Sequence, residues 1–210
     1  MSGPGGDDAA LAAELDVAGA TGWPVRTPRL RLRPAVAADA EPTFALRSDP
    51  EVARWLTSQV GDPAAYRERF VAKLGSTVVV EHEGRVVMDL MVSIADAWAQ
   101  AEVREQALAC EAELGWTLDP AHAGRGLATE AVRALLDLCF ASRAEGGLGL
   151  RRVIAVCFAD NTASWRLMER LGMRREGHAV ADALHRDGTW RDTLTYALLA
   201  SEHPAGPSLS

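Results

Sequence analysis

The stretch from Glu111 to Gly126 constrains the fold more than any other part of the chain. Glu111–Leu118 alternates in the two-residue period of a half-buried strand and stops at Asp119-Pro120. Gly124-Arg125-Gly126 then opens a helix whose apolar residues Leu127, Ala131, Leu135 and Leu138 keep helical spacing. A strand that turns through glycines into a helix N-terminus is an anion site, because free backbone N–H groups and the positive end of the helix dipole face one point. Glycine at 124 and 126 lets a ligand approach the main chain closely, and Arg125 adds charge at the rim. Three readings fit this stretch alone. A Walker loop needs Gly-Lys-Ser/Thr, and Gly126-Leu127-Ala128 lacks the lysine and the hydroxyl. A dinucleotide fold needs a third glycine and an acid after the next strand, neither of which is convincing. The third is an ordinary glycine-rich strand-to-helix connection.

The rest of the chain frames this unit. Arg29-Leu30-Arg31-Leu32-Arg33 alternates as a strand, and residues 39–46 and 49–56 read as short helices, with Pro50 at the favoured first-turn position. A helix over about 63–74 follows from Tyr66, Phe70 and Leu74. Residues 77–82 and 86–94 flank Glu83-Gly84-Arg85 as a hairpin, and 95–109 reads as a loop or ragged strand extension. Arg152–Phe158 is a short strand, Asn161 a helix cap and Leu171-Gly172 the matching stop. Strands over about 174–181 and Trp190–Leu199 close the chain around Asp187-Gly188. The expected architecture is α+β: a single domain with a mixed, mostly antiparallel twisted sheet of about seven strands and helices on both faces. Residues 25–202 form that domain, 1–24 a flexible acidic tail with at most a frayed helix near 9–17, and 203–210 a disordered tail.

Composition narrows the function. A formal net charge of −7 argues against nucleic acid as a partner. No apolar run approaches the ~18 residues of a membrane span, and no basic region with an apolar core marks a signal peptide, so a cytoplasmic protein without membrane contact is expected. Lys73 is the sole lysine, which argues against Schiff-base chemistry. Cys110, Cys139 and Cys157 have no ligand-like spacing and read as buried reduced thiols, with no metal site.

Four motifs in order carry a resemblance. Pro120-Ala121-His122-Ala123-Gly124-Arg125-Gly126-Leu127-Ala128-Thr129-Glu130-Ala131 resembles the acetyl-CoA pyrophosphate loop of the GNAT acetyltransferases. Asn161-Thr162-Ala163-Ser164, followed by Met168-Glu169-Arg170-Leu171-Gly172-Met173, resembles their second signature. The start, Thr27-Pro28-Arg29-Leu30-Arg31-Leu32-Arg33-Pro34, and the end, Gly188-Thr189-Trp190-Arg191-Asp192 with Tyr196, match as well. Together, from about Arg26 to Glu202, they are similar to the RimJ/RimL-like branch, which acetylates protein N-termini and small amines. Two departures stand out: Ala121 where the family often has Gln or Arg, and Met168 where many members carry a tyrosine acid. Methionine cannot donate a proton.

The resemblance implies acetyl-CoA as co-substrate and direct attack by a primary amine in a ternary complex, with the chain a monomer or homodimer. It implies that Ala123, Gly124, Arg125, Gly126, Leu127, Ala128 and Thr129 hold the pyrophosphate. It likewise implies that main-chain groups of Trp116, Thr117 and Leu118 bind the pantetheine arm as an added strand. Asn161 would bond the pantetheine amide while capping its helix, and Ser164 would protonate the leaving sulfur. Glu113 is the first candidate base, on the face of Glu111, Gly115 and Thr117 unless a bulge at Gly115 turns it. Asp182 is the second. His178, His185 and water are further proton acceptors, and Trp190 is a candidate lining residue of the acceptor pocket. That pocket would form between residues 49–61 and 182–190, where Asp49, Glu51, Asp182 and Asp187, with Asp62 at the edge, outnumber Arg54 and Arg186. A net-negative rim predicts a cationic acceptor. A non-catalytic acyl-CoA binder or sensor is the alternative.

Overall fold

The computed structural model describes residues 16–204. Eight strands form one sheet: β1 (Val25–Arg26), β2 (Leu30–Pro34), β3 (Thr77–His82), β4 (Arg85–Ala95), β5 (Glu111–Leu118), β6 (Arg152–Phe158), β7 (Arg174–Leu184) and β8 (Trp190–Leu199). Their spatial order is β1-β2-β3-β4-β5-β6-β8-β7. Every pairing is antiparallel except β5 with β6. The exception follows from the connection between them, a crossover that carries a 14-residue helix. The helices are α1 (Ala40–Ser48), α2 (Pro50–Ala53), α3 (Pro63–Val71), α4 (Leu127–Phe140) and α5 (Thr162–Arg170).

Strand alternation divides the helices between the faces. Val78 and Val80 point into the core that α4 and α5 cover, while Val79 between them packs with Tyr66 and Phe70 of α3. All three valines are fully buried, so β3 reads as an unbroken apolar run. The β3–β4 hairpin turns on Glu83 and Gly84, both at positive φ, in the mirror-image turn that matches strand twist. α4 is apolar on the face toward the sheet, where Leu127, Ala131, Leu135 and Leu138 are buried.

Several boundaries differ from those read in the sequence. The sheet has eight strands because Val25–Arg26 pairs with β2 through Val25↔Leu32. Residues 16–24 are not a loose tail. Val17 is fully buried, the Trp23 indole N–H donates to its carbonyl at 2.8 Å, and Gly22 N–H donates to Gly146 at 2.9 Å. Residues 1–15, with most of the suggested helix near 9–17, and residues 205–210 lie outside the described residues. His203 packs as well, its Nε2 at 2.7 Å from Asp137 Oδ1 and its ring on Phe140. Residues 95–109 contain a 3-10 segment, Ala101–Ala107, pinned by Ala109 N–H on Asp96 at 2.7 Å. Of the cysteines only Cys139 is fully buried, which pushes its thiol up to about 12; all three are free. Among the described residues no helix is long and apolar enough to cross a membrane, and no group of three or more His, Cys, Asp or Glu could hold a metal.

Candidate active site

The site begins where β5 and β6 part. β5 pairs with β4 along its whole length, from Ala95↔Glu111 to Met88↔Leu118, and β6 pairs with β8 from Arg152↔Leu199 to Phe158↔Thr193. The two pair with each other only from Glu111↔Arg152 to Glu113↔Ile154. Beyond that junction, the facing edges of residues 114–118 and 155–158 have no strand ladder between them. Such an edge offers main-chain donors and acceptors to an extended ligand. Trp116, Thr117 and Leu118 lie on it.

The wide end of this opening meets the N-terminus of α4. Asp119 accepts from Ala121 N–H at 2.9 Å and starts a turn over Pro120–His122. Gly124 and Gly126 then take φ of +72° and +77°, where any other residue is strained. Gly126 caps α4 without a side chain, whereas Asp49, Asp62 and Asn161 each cap their own helix. The amides of Leu127, Ala128 and Thr129 therefore stay free, since the first helical bond runs from Glu130 N–H to Gly126 at 3.1 Å. Glu130 could fill that end itself, but it is held elsewhere. It accepts from Thr27 Oγ1 at 2.5 Å and from Arg29 Nε at 2.7 Å. Burial raises this carboxyl, and the bonds from Thr27 and Arg29 together bring it below the usual range.

A cleft of about 720 Å³ opens over these amides, lined by Leu118, His122, Gly124, Gly126, Arg133 and Arg170 among others. Arg133 and Arg170 have no ion-pair partner among the described residues and were not singled out in the sequence, although Arg170 lies inside the second signature. Arg125 behaves differently. Its guanidinium reaches His82 Nε2 at 3.4 Å, and neither it nor Ala123 lines the cleft.

On the other lip, Asn161 caps α5, its Oδ1 accepting from Ser164 N–H at 3.3 Å. Among the described residues its side-chain amide N–H group has no partner, so local cap and outward donor coexist. The Ser164 hydroxyl faces the Cys157 thiol of β6. Burial pushes that thiol up to about 11, against a smaller opposite pull from Ser164, so at neutral pH it is uncharged. Met168 is buried in the core, away from the opening.

Glu113 is exposed at the junction itself and has no bonded partner among the described residues. The register of β5 on β4 runs unbroken past Gly115, so no bulge turns it. Asp182 lies apart, in a β7 bulge at Ala181 (φ +49°), where it accepts from Thr193 Oγ1 at 2.8 Å. The structure thus does not bring the two candidate bases together. His178 is taken by Asp192 at 2.7 Å, and His185 Nε2 bonds the Arg54 carbonyl at 3.0 Å. Alternation along β8 gives Trp190 the face of Leu194, opposite Thr193.

Beneath the opening lies a charged network missed in the sequence. Asp89 is 1% exposed. It is bonded by Thr117 of the free β5 edge and by Arg47 of α1, whose Nε lies 3.1 Å from Oδ1. Burial works against the Arg47 charge, and the facing carboxylate more than offsets that. A lone acid within the apolar run Val86 to Ile94 was the available signal.

The acceptor side is closed where the β7–β8 loop meets the chain after α2. His185 and Arg186 bond the Arg54 and Leu56 carbonyls. The acids expected to line this rim are largely engaged. Asp49 and Asp62 cap helices, Glu51 faces Arg54 at 3.8 Å, and Asp182 holds Thr193. Asp187 binds Thr189, His185 and Arg191, which hold it well below the usual carboxylate range.

Comparison with known proteins adds the following. The family model of the acetyltransferase (GNAT) domain matches residues 29–174. The uncharacterized N-acetyltransferase YoaA of Bacillus subtilis (strain 168) is 29% identical over 184 residues, 83% of this chain and 96% of that protein. The uncharacterized N-acetyltransferase YnaD of the same organism is 36% identical over 90 residues, 43% of this chain and about half (49%) of its own length. Among solved structures, a GNAT-family acetyltransferase from Bacillus anthracis has a TM-score of 0.69 at 28% identity, covering 85% of this chain and 99% of that one. Mycobacterium smegmatis RimJ in complex with CoA-disulfide has a TM-score of 0.66 at 25% identity, covering 90% and 92%.

Proposed function

The chain belongs to the acetyltransferase (GNAT) domain family, and from that premise we propose that it transfers an acetyl group from acetyl-CoA to a primary amine. The observation that carries this reading is the continuous path from the opening between β5 and β6 to the uncapped N-terminus of α4. The residues present fit the co-substrate. Main-chain edges without partners suit an amide-bearing arm, and free helix amides beside Arg133 and Arg170 suit a pyrophosphate.

Acetyl-CoA supplies an acyl group already activated as a thioester, so positioning provides much of the rate. Leu127, Ala128 and Thr129 would hold the phosphates, the edge at Trp116, Thr117 and Leu118 the arm, and the free Asn161 amide one of the arm's carbonyls. Ser164 would give a proton to the departing sulfur, and Glu113 would accept one from the amine directly or through water. The resemblance to the RimJ/RimL-like branch supports an acceptor such as a protein N-terminus or a small amine. Because the rim acids cap helices or are paired, Glu113 is, among the described residues of the site, the unpartnered carboxylate that would attract a cationic amine.

Titration calorimetry with acetyl-CoA, followed by thiol release over a panel of peptides, polyamines and aminoglycosides, tests the proposal. Binding with amine-dependent thiol release is the expected result. Binding without release from any amine would instead favour an acyl-CoA binder or sensor.

A further inference from the structure

We propose that the acceptor site selects a primary amine carrying an arylalkyl group, whose ring rests on a platform of Trp55 and Phe158. The proposal rests on the acetyl-transfer reading above and names the acceptor class for the same site.

The platform is built from three distant parts of the chain. Phe158 ends β6, Trp55 follows α2, and His185 comes from the β7–β8 loop. The Trp55 and Phe158 ring centres are 6.4 Å apart, and the His185 ring meets Phe158 edge-on at 5.5 Å. Arg54 covers Trp55, its guanidinium carbon 4.4 Å from the ring centre. His185 is itself fixed by the Arg54 carbonyl. Trp55 and Phe158 are half-buried and leave an aromatic surface open, while the His185 side chain, 12% exposed, backs it.

Register places this surface at the point of transfer. Phe158 follows Cys157, which packs on the face that α4 and α5 cover, where Ser164 lies. Successive strand residues point to opposite faces, so Phe158 lies directly across β6 from Ser164. Ile154, Val156 and Phe158 share a face, and Glu113 is paired with Ile154 at the junction. Along that lip Val156 is 45% exposed. On the facing lip Gly115 contributes no side chain, and the nearest side chain to it is Met91. The walls are therefore apolar along Val156 and Gly115, with the free Glu113 carboxylate at the narrow end, the Thr117–Asp89–Arg47 network two residues beyond Gly115, and Asp182 beside Phe158 through its bond from Thr193. Four residue steps separate the level of Ile154 from that of Phe158, roughly 13 Å. An ammonium held between Glu113 and the platform leaves room for a short alkyl link and a ring. Charge and shape together match a cationic amine with an aromatic group a few bonds away.

The test is equilibrium binding to the full chain in the presence of CoA, using 2-phenylethylamine, a peptide with amino-terminal Phe, an Ala-initiated peptide, butylamine and spermidine. Both aromatic ligands should bind at least about tenfold tighter than their aliphatic counterparts, and whichever binds tighter identifies a free amine or a peptide terminus as the source. Trp55→Ala and the volume-sparing Phe158→Leu should each remove about three- to tenfold of that advantage, read in each variant as the ratio of aromatic to aliphatic affinity at saturating CoA. Equal binding of butylamine, tighter binding of spermidine, or variants that keep the aromatic preference would overturn the proposal. Failure to bind CoA would instead strike the acetyl-transfer reading, which the CoA titration reports separately.

Discussion

Replacing Arg47 by Met tests the energetics beneath the site. The Asp89 carboxylate is 1% exposed and depends on Arg47 and Thr117 for its partners. Methionine keeps much of the arginine's apolar stem and removes its charge, leaving the carboxylate buried beside a single hydroxyl. Breaking a buried pair in this way costs about 3–5 kcal/mol. The Arg47 side chain is 29% exposed, so water reaches part of the pair and the lower end applies, about 3 kcal/mol. For a domain of this size each kcal/mol moves the midpoint by about 2–4 °C, so Tm should fall by about 6–12 °C. Thermal and urea unfolding of the wild type, Arg47→Met, Asp89→Asn and the double variant give the cycle. Because Asp89→Asn removes the charge that Arg47→Met orphans, the double variant should be more stable than the sum of the single losses, by about 0.5–3 kcal/mol. A loss below about 1 kcal/mol for Arg47→Met, or strict additivity, would refute the reasoning. Thr117 shares this network, so Arg47→Met should also raise KM for acetyl-CoA.

Four further outcomes are expected. Gly126→Val forces a β-branched residue to φ of +77° at the phosphate loop and should abolish acetyl-CoA binding by calorimetry while circular dichroism still reports a folded chain; retained affinity would remove the loop from the site. Ser164→Ala should lower kcat by about 10²–10⁴-fold with little change in KM for acetyl-CoA, and a loss under about threefold would mean the sulfur leaves without it. Arg133→Ala and Arg170→Ala should each weaken acetyl-CoA binding, more at low salt than at high, and salt-independent losses would argue against a charge contact. Glu130 has a folded pKa below its unfolded value of about 4.3, so its stabilisation is present above that value and is lost as pH falls through the folded one. The stability gap between wild type and Glu130→Gln should therefore narrow from pH 6 to pH 3 in urea titrations, and a gap that widens would contradict the sign.

Local chemistry made a large part of the molecule readable in advance. Glu111–Leu118 and Trp190–Leu199 have the same bounds in the structure as in the sequence reading, because a two-residue period broken by Asp-Pro or Asp-Gly is complete within its own segment. The same holds for the cap Asn161, the first-turn Pro50 and the glycine loop, where one residue's backbone or side-chain oxygen sets the outcome. Residues 16–24 differ from the sequence reading for the opposite reason. Residues 16–24 have the composition of a tail, yet Val17 finds a pocket made by the rest of the fold, which no local count reveals.

What tertiary structure alone decided is the site's working surface. Where β5 and β6 separate depends on the register of strands some forty residues apart in the chain, and that register is set by their outer partners β4 and β8. Whether Asp89 is a solvated acid or a buried anchor depends on Arg47 arriving on α1. Whether Asp187 charges the rim or is spent on Arg191 depends on the turn it occupies. Trp55, Phe158 and His185 carry no shared motif, and they meet only because the β7–β8 loop docks on the segment after α2. Periodicity and capping act over a few residues and are written in the sequence. Register, burial and the pairing of charges are fixed by contacts between distant segments, and those exist only once the sheet has formed.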